Sequence, residues 1–415
     1  MTSTVTYTLS NIPGFDEILK NDQLESNILK LNKVECRTAN NSVYTVVRYD
    51  KPFLSCDLIA TYGLCRSIVI NANNKVVAFA PPKSIQCDTF IKNYPEGHEN
   101  IVAEEFVEGT MVNVFWDDSI GVTGGWEIAT RNTVGATSSF YKGVGKKTFR
   151  DMFLEAASNT RLVLDNLDKQ LCYSFVLQHP ENRIVVPFKT QQLYLVGVYS
   201  IHNEVGNTHV KVYDPYDYKD VFFALNTTVQ LPTRYSFDSY ADLVDRFGSM
   251  NTPYHLVGVV LHNMGSGERT KIRNPVYEQV RSLRGNQPKL QYQYLALRKE
   301  GKVSDFLNFY PENKKEFSGF RDQLHLFTNT LFSNYISCHI KKEKPLIEFS
   351  EQYRTHMYNI HNKYLTELRE QKQVVTKSIV IDYVNNLHPS LLMYCLNFHM
   401  RKRNKDIVVA DITAE

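Results

Sequence analysis

Residues 174–188 read SFVLQHPENRIVVPF, and residues 193–200 read LYLVGVYS. Both stretches are short apolar runs rich in β-branched residues, and each is bounded by polar residues that favour turns. Such runs are typical of neighbouring strands. Similar runs recur from residue 40 to about residue 290, separated by clusters of Gly, Asn, Pro and Asp. This pattern predicts an α+β fold in which antiparallel sheets dominate the first part of the chain.

The hydrophobic period changes towards the end of the sequence. Two helical segments, at residues 148–167 and 237–250, already interrupt the strand-like region. Beyond about residue 290 the helical period takes over. One helical face is formed by the apolar positions Phe349, Tyr353, Met357, Ile360, Tyr364 and Leu368, which are three or four residues apart. We therefore predict a strand-rich domain over residues 1–290 and an all-α domain over residues 291–415.

Composition limits the classes of function. The 415 residues are 43% hydrophobic and 22% charged, as in a globular protein, and the formal net charge is only +3. Any nucleic-acid site must therefore be local, because bulk charge is too small to bind nucleic acid. The basic residues Arg401, Lys402, Arg403 and Lys405 are interpreted as a solvated tail.

The sequence also indicates a compartment. Seven cysteines are scattered without a C-x-x-C pair, which is typical of free thiols in a reducing compartment. No apolar run approaches the roughly 18 residues of a membrane span, and the first residues lack the pattern of a secretory signal. We expect a cytoplasmic protein, or a viral protein in the host cytoplasm or the virion, without a membrane partner.

The stretch at residues 174–188 resembles the middle motif of bacteriophage-type RNA ligases, a branch of the covalent nucleotidyltransferases. In that motif a strand carries a glutamate and leads into a P-x-N-R-I-V tail. Asn182 and Arg183 match the tail, but Val176 stands at the position of the glutamate.

Residues 65–84 and 104–118 resemble the preceding motifs of the same family, in the family's order. In the first segment, Arg66 and Lys83 take positions that help to hold nucleotide phosphates. The second segment resembles the nucleophile motif, a lysine, then two residues and a glycine. Glu108 and Gly109 match this motif, but Phe106 replaces the lysine.

The later family motifs are also present. Residues 125–135 resemble the strand and T-R turn that follow the nucleophile, and Arg131 is the arginine of that turn. HLVGVVLHN, at residues 255–263, is similar to an E-G-x-V strand, with Val257 in place of the glutamate. ERTKIRNPVY, at residues 268–277, resembles the closing K-x-K strand. Lys271 is retained there and Arg273 replaces the second lysine.

The resemblance implies an antiparallel nucleotidyltransferase domain of the ATP-grasp-like ligase type, followed by a helical domain of the kind that phage-type ligases use for substrate recognition. It also implies a lost activity. A phenyl ring has no lone pair with which to attack phosphorus, and valine cannot bind a divalent ion. The residues expected to bind nucleotide or phosphate are Arg66, Lys83, Glu108, Gly109, Arg131, Arg183, Lys271 and Arg273. No catalytic residue, metal ligand or cofactor is expected.

Three functions remain open at this point. The first is a catalytically degenerate protein that binds RNA, nucleotide phosphates or a protein partner. The second is an active ATP-dependent RNA ligase or guanylyltransferase that needs ATP and Mg²⁺ and uses a displaced lysine, of which Lys83 is the nearest by position. The third is a structural or virion component with a closed groove, since the chain also resembles proteins of large DNA viruses.

Overall fold

The computed structural model describes residues 5–20, 31–140, 147–204 and 206–400. The chain divides into two compact units, residues 1–281 and 282–415. The first is rich in antiparallel strands and the second is helical, which confirms the predicted fold class. The domain boundary predicted after residue 290 lies further along the chain than the division between the units. The basic run at 401–405 lies outside the described residues.

The described residues contain fourteen strands. In chain order they are β1 (Val5–Thr8), β2 (Leu31–Arg37), β3 (Val43–Tyr49), β4 (Ile68–Asn71), β5 (Val76–Ala78), β6 (Ile101–Glu105), β7 (Thr110–Asp117), β8 (Gly125–Thr130), β9 (Leu171–Gln178), β10 (Gln192–His202), β11 (His209–Tyr213), β12 (Arg234–Tyr235), β13 (Gly258–Asn263) and β14 (Arg269–Arg273). They form three sheets. The orders are β1-β11-β10-β9-β7-β8, β12-β6-β13-β14 and β2-β3-β4-β5.

The described residues also contain twelve α-helices. They are α1 (Phe15–Leu19), α2 (Cys87–Asn93), α3 (Phe149–Asn159), α4 (Lys219–Ala224), α5 (Tyr240–Phe247), α6 (Pro275–Arg284), α7 (Leu290–Lys299), α8 (Val303–Phe309), α9 (Lys314–Tyr335), α10 (Glu351–Lys363), α11 (Lys377–Asn386) and α12 (Pro389–Leu396). In the part of the chain that the structure describes, no helix is both long and apolar enough to cross a bilayer.

Each sheet of the first unit buries one face against a different neighbour. The six-stranded sheet packs α3 on one side, where the ring centroids of Phe153 and Phe175 are 6.1 Å apart. Its other side shares a core with the β2-β3-β4-β5 sheet. The remaining sheet is covered by α2 and α5, whose side chains cluster with Val259 and Leu261. Its opposite face is left to form the site.

The second unit is a set of packed helices. The predicted apolar face around α10 is buried at Phe349, Tyr353, Met357, Ile360 and Leu368, and Tyr364 is half-buried. Helices α9 and α10 each continue into a π-helical turn, at Ile336–Ile340 and Tyr364–Leu368. The spacing of apolar residues in the sequence therefore corresponds to a helix with one buried face.

Candidate functional site

A row of three side chains runs across the sheet that α2 and α5 cover. Glu104 of β6 lies opposite Val260 of β13, and Val260 lies opposite Lys271 of β14. Side chains alternate between the faces of a strand, so Val260 points away from the helices that bury Val259 and Leu261. Glu104 and Lys271 therefore flank Val260 on the uncovered face.

Phe106 lies just beyond β6 and packs against two cations. Its backbone N–H donates to the carbonyl oxygen of Gly258 at 3.3 Å, which brings the ring beside β14. Lys271 Nζ is 4.2 Å from the ring centroid, and Arg273 Cζ is 5.6 Å from it. A cation over the face of an aromatic ring is attracted by the ring quadrupole. The position that resembles the nucleophile thus holds an apolar ring beneath the amine of Lys271 and the guanidinium group of Arg273.

A cavity of about 400 Å³ opens on one side of Phe106. We call it the apolar chamber, because most of its wall is hydrocarbon. Its apolar lining includes Phe106, Met111, Phe149, Val176, Val196 and Val260. Its polar groups include Glu104, Thr130 and His262. A mostly apolar cavity with a few fixed polar groups is typical of a small-molecule site.

A second cavity of about 410 Å³ shares part of its wall with the first. Its charged lining consists of Lys51, Arg66, Lys83, Glu108, Arg131, Lys271, Arg273 and Arg281. We call it the cationic chamber, because seven of these eight side chains are basic. Both chambers are lined by Phe106, Gly109, Arg66, Arg131 and Lys271.

Most cations of the cationic chamber lack a carboxylate partner. Arg273 and Arg281 both approach Glu278, at 2.7 Å and 3.5 Å. Among the described residues, no carboxylate lies within ion-pair distance of the other five basic side chains. The Nε of Arg131 is buried and meets no hydrogen-bond acceptor in the described part of the chain. Arg66, Lys83, Arg131 and Lys271 are only partly exposed, and grouping cations that have lost part of their contact with water costs free energy unless an anion joins them.

Burial, and after it the nearby charges of Arg269 and Arg66, lower the pKa of Lys271 to about 6. Burial and the neighbouring Arg66 also lower the pKa of Lys83. A lysine with such a pKa is mostly a neutral amine at pH 7, because burial and like charges both disfavour the protonated form.

Glu108 and Gly109, the two residues that match the nucleophile motif, support the local backbone. Glu108 is buried, and its carboxylate accepts hydrogen bonds from the backbone N–H groups of Val185 at 2.7 Å and Val186 at 3.1 Å. Gly109 has a φ of 153°, and a Cβ there would lie 2.4 Å from the carbonyl oxygen of Leu177. Glu108 lines the cationic chamber, yet its acceptor oxygens bind the loop that follows β9.

The structure distributes the other predicted positions over both chambers. Phe106 lines both, Val176 lines the apolar chamber and Val257 lines the cationic chamber. Arg183 is not among the described residues that line either chamber, and its Nε donates to the carbonyl oxygen of Val185 at 2.9 Å. Apart from Arg183, the predicted positions therefore lie on two chambers that share a wall.

Sequence reasoning missed Arg269, which the fold buries at the edge of the apolar chamber. Its Nε donates to Pro82 O at 2.9 Å, and burial lowers its pKa to about 10. The spacing of basic residues in the sequence could have identified Arg269. Residues 269, 271 and 273 alternate along β14 and therefore share one face of the strand.

An acidic group of the apolar chamber was also missed. Glu104 accepts a hydrogen bond from Arg234 Nε at 2.9 Å, and Arg234 Nη2 is 2.6 Å from Asp214. His262 Nε2 lies 3.5 Å from the same glutamate. Burial raises the pKa of Glu104, opposed by Arg234, and burial lowers the pKa of His262 to about 3. This carboxylate is therefore already paired inside the protein.

Comparison with known proteins gives one relative by sequence. No family model matches the chain. An RNA ligase of Rhodothermus phage RM378 is 24% identical over an alignment of 291 residues, and the match covers 62% of this chain. The chain spans 64% of the length of that curated relative.

Solved structures of an RNA ligase from Naegleria gruberi are similar to about half of the chain. A mutant with AMP and Mn has a TM-score of 0.35 at 13% identity, and covers 48% of this chain and 57% of that chain. A mutant with ATP and Mn has a TM-score of 0.34 at 12% identity, and covers 48% and 58%. The chain is thus similar to an RNA ligase over this stretch, and its motifs occur in the order of the RNA ligases of the nucleotidyltransferase type.

Proposed function

We propose that the strand-rich unit binds a nucleotide without transferring it to the protein by the route of the RNA ligases. The base would occupy the apolar chamber and the phosphates the cationic chamber. The observation that carries this proposal is a group of basic side chains on the wall that both chambers share, for which the described part of the chain offers no carboxylate partner. Phosphate oxygens form strong charge-assisted hydrogen bonds with such groups.

The size and chemistry of the cavities favour a mononucleotide over an RNA helix. Each chamber holds about 400 Å³, close to the lower end of the range for small-molecule pockets. Phe106, Val176 and Val260 offer the apolar wall that a base requires. At the position of the family nucleophile, Phe106 has no atom that can attack a phosphorus.

Equilibrium dialysis of the whole protein with labelled ATP or GTP tests the proposal. We expect saturable binding that weakens as salt concentration rises, because the ligand is an anion. The informative variant is Arg131→Met, since the buried Nε of Arg131 has no acceptor among the described residues. Its affinity should fall about tenfold, the usual loss for one hydrogen bond to a charged group.

The matched control is Lys75→Met, which removes one positive charge from an exposed position that lines neither chamber. It should bind as tightly as the parent protein. Failure of the parent protein to bind either nucleotide, or equal affinity in the Arg131 variant, would reject nucleotide binding at this site.

One observation favours a second candidate, a working nucleotidyltransferase with a displaced amine. The neutral amine of Lys271 lies 4.2 Å from the ring that occupies the nucleophile position. In that reaction Nζ would bond to the α-phosphorus, the bond from that phosphorus to pyrophosphate would break, and solvent would take the amine proton.

A labelling assay separates the two candidates. The protein is incubated with Mg²⁺ and α-labelled ATP or GTP and then denatured. Acid-labile, hydroxylamine-sensitive label on the chain that disappears in Lys271→Met would establish the transferase. Its absence from a protein that binds nucleotide supports the binding role.

A further inference from the structure

The charge of the cationic chamber bears on the form in which a polyphosphate is bound. Five of its basic side chains have no carboxylate partner among the described residues. The one acidic side chain that lines the chamber is Glu108, and its carboxylate accepts hydrogen bonds from the backbone N–H groups of Val185 and Val186. The chamber is therefore strongly positive before any ligand arrives.

A divalent ion would find few oxygen ligands in this part of the chain. Mg²⁺ in phosphate sites is usually held by one or two carboxylates together with phosphate oxygens. Val176 and Val257 offer none, and the carboxylate of Glu104 is engaged by Arg234 at 2.9 Å. Glu105 also lines the apolar chamber, and it accepts a hydrogen bond from the backbone N–H of Thr233 at 3.2 Å. In the described residues, no cluster of three His, Cys, Asp or Glu side chains could hold a metal ion.

Electrostatics then favours the free anion over its magnesium complex. A bound Mg²⁺ cancels two negative charges of a triphosphate, which weakens its attraction to the surrounding cations, and the ion itself is repelled by them. Guanidinium groups can replace the ion, because their planar forks match two phosphate oxygens at once. Arg66 and Arg131 are placed for this role on the wall that both chambers share.

We propose that the cationic chamber binds a metal-free nucleoside triphosphate, in which the guanidinium groups of Arg66 and Arg131 take the place of a divalent ion. This inference rests on the proposed function and deepens it. It specifies the ionic form of the ligand and separates this site from one that selects a magnesium nucleotide.

Titration calorimetry of the whole protein with ATP tests the inference, in excess EDTA and in excess magnesium chloride at matched ionic strength. We expect at least about tenfold tighter binding in EDTA, because two units of ligand charge are restored next to several cations. Inorganic triphosphate is titrated alongside ATP to separate the contribution of the phosphates from that of the base. It should show the same preference for EDTA.

A variant that restores a carboxylate provides the reciprocal test. Val257→Glu places an acid in the cationic chamber beside basic side chains. The ratio of the two affinities should move towards magnesium by about tenfold, the value of one favourable charge contact. Arg131→Met serves as a second variant if the glutamate prevents folding, and it should reduce the preference for EDTA. Lys75→Met, an exposed control outside both chambers, should keep the parent ratio.

The possible outcomes test the metal-free form of the ligand separately from nucleotide binding itself. Binding that is equal or tighter in magnesium overturns the metal-free ligand but leaves nucleotide binding intact. No binding of ATP or triphosphate in either buffer overturns both. Tighter binding in EDTA that Arg131→Met does not alter would place the anion elsewhere and also overturn the inference.

Discussion

Replacing Lys271 with methionine should stabilise the strand-rich unit at neutral pH. The change keeps an unbranched apolar stem over the Phe106 ring and removes an amine whose protonated form is disfavoured by burial and by four neighbouring cations. Burial lowers the pKa of Lys271 from its usual 10.5 to about 6. The unfolded chain therefore binds one more proton than the folded chain between those two pH values.

The sign and size of the effect follow from this difference in protons. Because the unfolded state binds more protons, this lysine makes the free energy of unfolding rise with pH, by about 1.4 kcal/mol per pH unit within the window. Methionine removes that dependence. The stability gained by Lys271→Met should therefore be about 3 kcal/mol larger at pH 7 than at pH 9.

Urea unfolding at the two pH values, followed by tryptophan fluorescence, measures this difference. Both tryptophans of the sequence, Trp116 and Trp126, lie in the strand-rich unit and report on its unfolding. Lys75→Met, at an exposed position, should leave the pH dependence of the parent protein unchanged. If the parent protein and the Lys271 variant show the same difference in stability at pH 7 and pH 9, Lys271 is not a neutral buried amine.

Two further changes test the scaffold around the chambers. Glu108→Ala leaves two backbone N–H groups of the loop after β9 without their acceptor. It should lower the free energy of unfolding, measured by urea denaturation, by about 2 kcal/mol. A loss of only a few tenths of a kcal/mol would contradict the role given to Glu108. Gly258→Ala should lower the melting temperature by several degrees, because its φ is 135° and the new Cβ would lie 2.1 Å from the carbonyl oxygen of Ile272. Gly319→Ala, in open space on α9, is the control and should not lower it.

The fold class could be predicted from the sequence because its signals are local. The short apolar runs predict strands and the stripe from Phe349 to Leu368 predicts a helix with one buried face, and the structure buries most of these apolar positions. Which strands pair is a non-local property. That β6 lies between β12 and β13, far from its neighbours in sequence, depends on packing that no short stretch encodes.

The candidate site was likewise predictable only where its signals are local in the sequence. Comparison with the family motifs identified Phe106, Lys271 and Arg273, and the structure brings these three side chains into contact. The motifs could not tell that Glu108 binds backbone N–H groups, since its partners lie 77 and 78 residues further along the chain. The two separate chambers depend on where loops from three sheets meet.

The ring of Phe106 beneath Lys271 sets a condition on any lysine at position 106. Such a lysine would bring a positive charge next to the guanidinium group of Arg273 and the amine of Lys271, in a chamber whose one acidic lining residue, Glu108, is engaged by backbone N–H groups. The Phe106→Lys variant should therefore be less stable than its parent unless a second substitution, Val176→Glu or Val257→Glu, supplies a counter-charge. Position 106 is in this way coupled to the two valine positions: a cation at the first requires an acid at one of the others.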